Sequence, residues 1–335
     1  MNPLLRIEGL NIGFKHRTGE TAVVRGVDLE VGPGETVGVV GESGSGKSLT
    51  CRSIIRLMPT HARMTATSVQ FAGRDVLGLS RRELREHRAR NVGMIFQDPF
   101  SCFDPTKRVG EQVAETLRVN AGMDRAAARS RALELLANVE IDKPEQRYRA
   151  YPHELSGGMR QRVMIAIAIS AGPKLLIADE PTTALDVTTQ AQILTLIAQL
   201  RRESEMAVLL VSHDFGVIAQ ACDRVAVMYG GRVVEAGPVD EVCARPQHPY
   251  TRALLESIPS LESAGRRVRR AGIPGQPPNP AELGEGCPFA ERCALARDAC
   301  REVDMALLPV APGHVTACPF VNETASAPGP SERTS

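Results

Sequence analysis

The sequence has almost no net charge and no long hydrophobic run. Its 40 Lys and Arg residues nearly balance 39 Asp and Glu residues, so the formal net charge is +1. Such a chain lacks the overall basic field that attracts nucleic acid, and we expect no nucleic-acid partner. No apolar stretch approaches the ~20 residues of a membrane-spanning helix, and residues 1–10 lack the pattern of a secretory signal. We therefore expect a cytoplasmic protein that reaches a membrane only through other subunits.

The chain also shows no internal repeat, and its length limits the number of domains. With 335 residues, of which 43% are hydrophobic, it can bury a sizeable core. Strand-like and helix-like patterns alternate along much of the sequence, which indicates an α/β fold. We expect one large domain followed by an appendage.

One octapeptide fits the phosphate-binding P-loop pattern GxxxxGK[ST] at every fixed position. It consists of Gly41, Glu42, Ser43, Gly44, Ser45, Gly46, Lys47 and Ser48. A predicted strand precedes it and a predicted helix follows, as the motif requires. The glycines let backbone N–H groups point at one anion, while Lys47 supplies charge for the β- and γ-phosphates and Ser48 a hydroxyl for Mg²⁺. The motif predicts nucleotide binding; the alternative is a Gly-rich turn that matches by chance.

An apolar run ends in two adjacent carboxylates, Asp179 and Glu180. A parallel strand would deliver both acids to the edge of a nucleotide-binding sheet. Asp179 then suits the Mg²⁺ shell, and Glu180 could act as the general base for the water that attacks the γ-phosphate. The alternative is a solvated acidic turn after a core strand.

Ser156, Gly157 and Gly158 open a predicted helix about two dozen residues before these carboxylates. The hydroxyl, the backbone N–H groups and the helix dipole make a second anion cradle, although a lone Ser-Gly-Gly is also an ordinary helix cap. Together with its neighbours, this stretch resembles the LSGGQ signature of ATP-binding cassette (ABC) ATPases. The resemblance implies a head-to-tail dimer in which each signature faces ATP bound by the other subunit.

Three further residues correspond to functional residues of that family. Gln97 resembles the Q-loop glutamine, which contacts the Mg²⁺ and water site and links it to the helical subdomain and the membrane partners. His213 resembles the switch histidine at the γ-phosphate. Phe14 is the candidate for stacking on adenine, although a phenylalanine at a strand end is usually a core residue.

The resemblance implies a P-loop NTPase fold of the ABC ATPase type. We predict an ATPase domain over residues 1–250, with an antiparallel β subdomain near its start and an inserted helical subdomain at about 97–160. Two strands flanking Tyr229, Gly230 and Gly231 predict a hairpin. Residues 251–322 form a C-terminal extension, and the polar tail 323–335 is predicted to be disordered.

Four cysteines are bunched in this extension: Cys287, Cys293, Cys300 and Cys318. In a cytoplasmic protein such bunching favours a metal over disulfides, and four thiolates suit Zn²⁺ or an iron–sulfur cluster. A predicted helix, a Pro-rich linker and these cysteines follow one another along the chain. Together they resemble the extension of oligopeptide and dipeptide importer ATPases, which implies a [4Fe–4S] cluster. We therefore favour iron–sulfur over zinc. Because the cysteines lie far along the chain from the nucleotide motifs, we expect them to lie apart from ATP.

The resemblance implies the ATP-hydrolysing subunit of a peptide importer at the cytoplasmic face of the inner membrane. Implied partners are a homologous ATPase subunit, with a heterodimer favoured, two transmembrane permease subunits and, indirectly, an extracytoplasmic solute-binding protein. Alternatives are a nickel or glutathione importer, a soluble ABC ATPase without a transport role, or a cysteine-based redox or metal sensor. The segment 101–105 departs from the family pattern, which leaves the permease partner open.

Overall fold

The computed structural model describes residues 2–16, 19–183, 185–257 and 273–320. These residues form two sheets with helices packed between and around them. The predicted disordered tail at 323–335 lies outside the described residues. Among those that are described, no helix is both long and apolar enough to span a bilayer.

The first sheet is antiparallel. Its strands are β1 (Leu5–His16), β2 (Gly19–Val31), β4 (Ala62–Thr65), β5 (Ser68–Phe71) and β6 (Arg74–Asp75), in the order β2-β1-β5-β6 with β4 also on β1. Alternate residues of β1, such as Leu5 and Ile7, are fully buried, as expected when one face of a sheet packs on a core. The predicted antiparallel layer is confirmed, and its first two strands have 12 and 13 residues.

The second sheet has eight strands in the order β12-β13-β11-β10-β3-β9-β8-β7. The strands from β10 to β7 are parallel neighbours, and the remaining pairs are antiparallel. These strands are β3 (Thr36–Val40), β7 (Val92–Ile95), β8 (Leu175–Asp179), β9 (Ala207–Ser212), β10 (Arg224–Tyr229), β11 (Arg232–Pro238), β12 (Leu308–Ala311) and β13 (His314–Thr316). Every residue of β3, β8 and β9 is buried, because parallel strands of such a sheet are covered on both faces.

Helices connect and cover the strands. They are α1 (Lys47–Ile54), α2 (Arg81–Glu86), α3 (Pro99–Cys102), α4 (Val109–Ala121), α5 (Arg125–Asn138), α6 (Pro144–Tyr148), α7 (Gly157–Ile169), α8 (Val187–Ser204), α9 (Phe215–Ala221), α10 (Val239–Ala244) and α11 (Pro249–Glu256). A π-helical turn spans His87–Asn91, and short 3-10 turns span Pro152–Glu154, Ala290–Arg292 and Asp298–Arg301. Asp124 caps α5, since its carboxylate accepts hydrogen bonds from the N–H groups of Ala126 and Ala127.

The end of the chain joins the central sheet. The predicted hairpin is confirmed as β10 and β11. Strand β13 then pairs with β11, with Glu235 opposite Thr316, so the hairpin of β12 and β13 lengthens the same sheet. Residues 273–320 of the C-terminal extension therefore share a sheet with the nucleotide motifs. Helix α11 crosses the predicted boundary at residue 250, and the domain division stays a prediction.

Candidate active site

The P-loop lies between the end of β3 and the start of α1. Ser43 and Gly44 are exposed at its rim, while Ser45 and Gly46 are buried at its base. A Cβ atom at Gly41 would lie 2.1 Å from the carbonyl oxygen of Met228, so only glycine fits beside the end of β10. Gly46 precedes α1 with φ at 95°, a conformation that glycine adopts without strain. The predicted strand–loop–helix is confirmed.

Lys47 is 5% exposed and turns back on the loop. Its Nζ donates to the carbonyl oxygens of Gly41 at 2.8 Å and Glu42 at 3.0 Å. Burial lowers the pKa of Lys47, and the carboxylates of Glu180 and Asp179 partly oppose that effect. An ammonium group held at the phosphate-binding loop can neutralise phosphate charge.

Ser48 and Asp179 are brought together as predicted. The Ser48 hydroxyl donates to Oδ1 of Asp179 at 2.7 Å. Oδ2 of the same fully buried carboxylate has no hydrogen-bond partner among the described residues, although Arg52 lies 3.8 Å from it. Burial is the main reason that the pKa of Asp179 is raised. A hydroxyl beside a buried carboxylate offers the hard oxygen ligands that Mg²⁺ prefers, so the residues fit this metal.

Three side chains converge on Oε2 of Glu180. Gln97 Nε2 donates at 2.9 Å, Thr183 Oγ1 donates at 2.8 Å, and His213 Nδ1 lies 3.4 Å away. Glu180 itself has a left-handed backbone, with φ at 49°. The structure thus groups Gln97, Glu180 and His213, and their assigned roles stay predictions. Sequence reasoning missed Thr183, whose only signal is its position three residues after the acid.

Ser156 caps helix α7, because its Oγ accepts a hydrogen bond from the Met159 N–H at 3.3 Å. A Cβ at Gly158 would lie 2.8 Å from Cγ2 of Thr189, so the start of α7 packs closely on α8. Across the described residues no hydrogen bond or ion pair joins 156–158 to the P-loop of the same chain. Ser156 itself is exposed, and its role toward a second subunit stays a prediction.

Phe14 lies on β1, where it is half-buried and pairs with Thr21 and Ala62 on the two neighbouring strands. That places it on the antiparallel sheet, as predicted. Its stacking on adenine stays a prediction.

The extension contacts the P-loop, which sequence reasoning missed. The guanidinium group of Arg292 forms a bidentate ion pair with the carboxylate of Glu42, at 2.6 and 3.1 Å. The backbone N–H of Glu42 donates to the hydroxyl of Tyr250 on α11, at 2.9 Å. The segment that carries the cysteines therefore reaches the P-loop through Arg292, although 250 residues separate Arg292 from Glu42 in the sequence. That the cysteines themselves lie apart from ATP stays a prediction.

The four bunched cysteines gather in one region. The Cys287 N–H donates to the Cys300 carbonyl at 2.8 Å. Burial raises the pKa of Cys287 to about 12, and the nearby Cys300, Cys293 and Cys318 thiols add to that effect. Within the described ranges, however, no group of three or more His, Cys, Asp or Glu side chains is arranged to hold a metal ion. The metal prediction is not confirmed.

Two families match this chain. The ABC transporter family matches residues 24–183, and the C-terminal region of oligopeptide/dipeptide transporters matches residues 234–300. A probable peptide ABC transporter ATP-binding protein of Sinorhizobium fredii is 49% identical and covers 96% of both chains. The chain belongs to the ABC transporter family of ATPases. The oligopeptide transport ATP-binding protein OppD of Salmonella typhimurium is 45% identical over 95% of this ABC ATPase and 93% of its own length.

Solved structures agree with the fold of this ABC ATPase. The ATP-binding cassette MJ0796, solved as a dimer bound to ADP and Pi, superposes with a TM-score of 0.63 at 29% identity and covers 70% of this chain and 98% of its own. CbiO1 of Clostridium perfringens, part of an ABC transporter complex, gives 0.62 at 28% identity, covering 73% and 92%. The P-loop ABC ATPase fold and its ATP hydrolysis are confirmed.

Proposed function

We propose that this ABC ATPase is the ATP-hydrolysing subunit of an importer that couples ATP binding and hydrolysis to uptake of dipeptides and oligopeptides across the cytoplasmic membrane. One observation carries the proposal: a P-loop site and an oligopeptide/dipeptide transporter C-terminal region occur in one chain. The names of its relatives support the same substrate class.

The residues of the site divide the chemistry between them. The P-loop N–H groups and Lys47 bind the phosphates, and Ser48 with Asp179 holds Mg²⁺, which supplies charge neutralisation at the β- and γ-phosphates. Glu180 accepts the proton of the attacking water. Gln97 contacts the Mg²⁺ and water site and His213 contacts the γ-phosphate, and both side chains also lie against the Glu180 carboxylate. Gln97 precedes helices α3 to α6 and the start of α7, which we propose to be the helical subdomain at about 97–160. Its hydrogen bond to Glu180 links movement of these helices to catalysis.

The working unit is a head-to-tail dimer, for which we favour a related second ATPase over a second copy of this chain. Ser156 is exposed at the start of α7 and supports this arrangement. The variant Ser156→Arg should bind MgATP at its own P-loop while the assembled dimer loses hydrolysis. Ser80→Arg is the matched control, since Ser80 is also an exposed helix cap. Loss of ATP binding by an isolated Ser156→Arg monomer would contradict the shared site.

The ATPase pair would sit at the cytoplasmic face of the inner membrane on two permease subunits, with an extracytoplasmic solute-binding protein delivering peptide. Tagged chain purified from membranes should bring the permease subunits with it, and peptide-loaded binding protein should stimulate hydrolysis by the complex. Stimulation by nickel-loaded or glutathione-loaded binding protein, but not by peptide, would favour those importers. A chain that never copurifies with membrane subunits would favour a soluble ABC ATPase.

The four cysteines of the extension are proposed ligands of a [4Fe–4S] cluster. They lie in one region of the extension, and four thiolates are the ligand set of such a cluster. The alternative is one zinc ion bound by the same four thiolates. Anaerobically purified protein should be brown and contain about four irons per chain. Colourless protein with one zinc per chain would contradict the proposal.

A further inference from the structure

The acidic side chain within the P-loop is held by a residue of the extension. NH1 and NH2 of Arg292 donate hydrogen bonds to the two carboxylate oxygens of Glu42, at 2.6 and 3.1 Å. The Arg292 side chain is only 7% exposed. Bidentate pairs of this kind are the strong, geometrically specific form of a charge-assisted hydrogen bond.

Every N–H group of the Arg292 guanidinium donates a hydrogen bond. NH1 also donates to the Tyr229 hydroxyl at 2.9 Å. Nε donates to the carbonyl of Pro274 at 2.7 Å, and NH2 to that of Ile273 at 3.2 Å. With the two bonds to Glu42, all five N–H groups of the side chain are used. Arg292 thus ties the P-loop to the end of β10 and to the start of the described extension.

The position of Glu42 in the phosphate-binding loop explains why its ion pair with Arg292, here called the clasp, matters. The P-loop gathers backbone N–H groups to bind phosphate, so an unpaired carboxylate on the loop would repel the ligand. The Glu42 backbone is also fixed, since its N–H donates to Tyr250 and its carbonyl accepts from Lys47. Pairing with Arg292 removes the repulsion and holds the side chain on the side of the extension.

We propose that Arg292 is a positioning residue for nucleotide binding: by neutralising and anchoring Glu42, it makes the P-loop's affinity for phosphate depend on the fold of the cysteine segment. Arg292 directly precedes Cys293, so a rearrangement at that cysteine reaches the P-loop through one side chain.

The test is the affinity of the full-length chain for MgADP and for a non-hydrolysable MgATP analogue, measured by calorimetry. Arg292→Gln should weaken both by about tenfold, which corresponds to about 1.4 kcal/mol. In the ATPase assay KM should rise with kcat unchanged, because Arg292 does not touch the reacting atoms. Arg301→Gln is the matched control, since Arg301 is an exposed arginine directly after Cys300, and it should change affinity less than twofold.

A double-mutant cycle separates the clasp from a general loss of structure. Glu42→Gln removes the repelling charge, so adding Arg292→Gln to it should weaken binding by less than about threefold. Arg292→Lys keeps the charge but loses the bidentate geometry, and it should lie between parent and Arg292→Gln. An Arg292→Gln chain that binds within twofold of the parent would overturn the proposal. An equal loss with and without the Glu42 carboxylate would overturn it as well.

Discussion

The nucleotide site and the extension are built in opposite ways around the same loop. In the nucleotide site, short motifs at strand ends place Lys47, Ser48, Asp179 and Glu180 together. In the extension, Arg292 reaches the loop without belonging to any motif, through contacts with residues far away in sequence. Chemistry that is encoded by a short stretch of backbone therefore leaves a local signature in the sequence, whereas chemistry made by a long-range pair of side chains does not.

The two regions also differ in how they are stabilised. Strands β3, β8 and β9 are buried along their whole length. In the extension few side chains are buried. One of them, Phe289, packs edge-to-face against Tyr229 and Tyr250 of the main core, with ring centroids 5.2 and 5.4 Å apart. A segment with so small a core needs further stabilisation. Its attachment to β11 and to the P-loop supplies part of it.

The largest expected effect is on the nucleotide site. Glu180→Gln should retain MgATP while turnover falls at least about 10²-fold, because an amide cannot accept the proton of the attacking water. Phosphate release and nucleotide affinity are measured on the same preparation. Glu205→Gln is the control, since Glu205 is an exposed acid with a similar left-handed backbone, φ 52° against 49°. Turnover of Glu180→Gln within twofold of the parent would remove Glu180 from the role.

The next prediction concerns how stability depends on pH at His248, which lies at the junction between the two regions. Burial lowers the pKa of His248 to about 4, partly opposed by the nearby Glu235 carboxylate, whereas an unfolded histidine titrates near 6.5. The unfolded state therefore binds a proton that the folded state does not, and stability is lost as the pH falls from about 6.5 to 4. Protonation of His248 lowers the free energy of unfolding by about 3 kcal/mol over this range.

The control for this pH effect is His248→Asn. Nδ1 of His248 accepts the Tyr250 N–H at 3.1 Å, and an asparagine oxygen can make the same cap without titrating. Urea unfolding of both chains should show a shallower loss of stability for the variant between pH 7 and pH 4. Parallel curves would show that His248 does not titrate on unfolding.

A smaller effect separates the stability of the extension from that of the nucleotide site. A Cβ at Gly286 would lie 2.2 Å from the Arg301 carbonyl oxygen, so Gly286→Ala should destabilise the extension by about 1–3 kcal/mol. At Gly284 a Cβ meets nothing within 4 Å, and Gly284→Ala should be close to neutral. Amide hydrogen exchange in residues 273–320 measures the difference. Equal protection in the two variants would contradict the close packing at Gly286.

The smallest effect concerns the base of the nucleotide. If Phe14 stacks on adenine, Phe14→Leu should weaken MgATP about fivefold, within the range of aromatic contacts. Magnesium tripolyphosphate, which has no base, should bind both chains equally. Equal loss for both ligands would assign Phe14 to the fold alone.

Much of the fold and the site could be predicted from the sequence because they are locally encoded. The P-loop glycines, the carboxylates after β8 and the hairpin at Tyr229 each depend on residues within a few positions of one another. The pairing of β13 with β11 and the clasp of Arg292 on Glu42 could not be predicted, since nothing in a single sequence records which distant residues meet. Thr183 was missed because a threonine in a turn has many ordinary uses.

Peptide uptake by living cells shows whether this ATPase energises peptide import. Cells that lack this gene are complemented with the parent chain or with Glu180→Gln, and entry of a labelled tripeptide is measured. We expect that deletion reduces uptake, that the parent restores it and that Glu180→Gln does not. Unchanged uptake after deletion, or full restoration by Glu180→Gln, would contradict a role for this ATPase in energising peptide import.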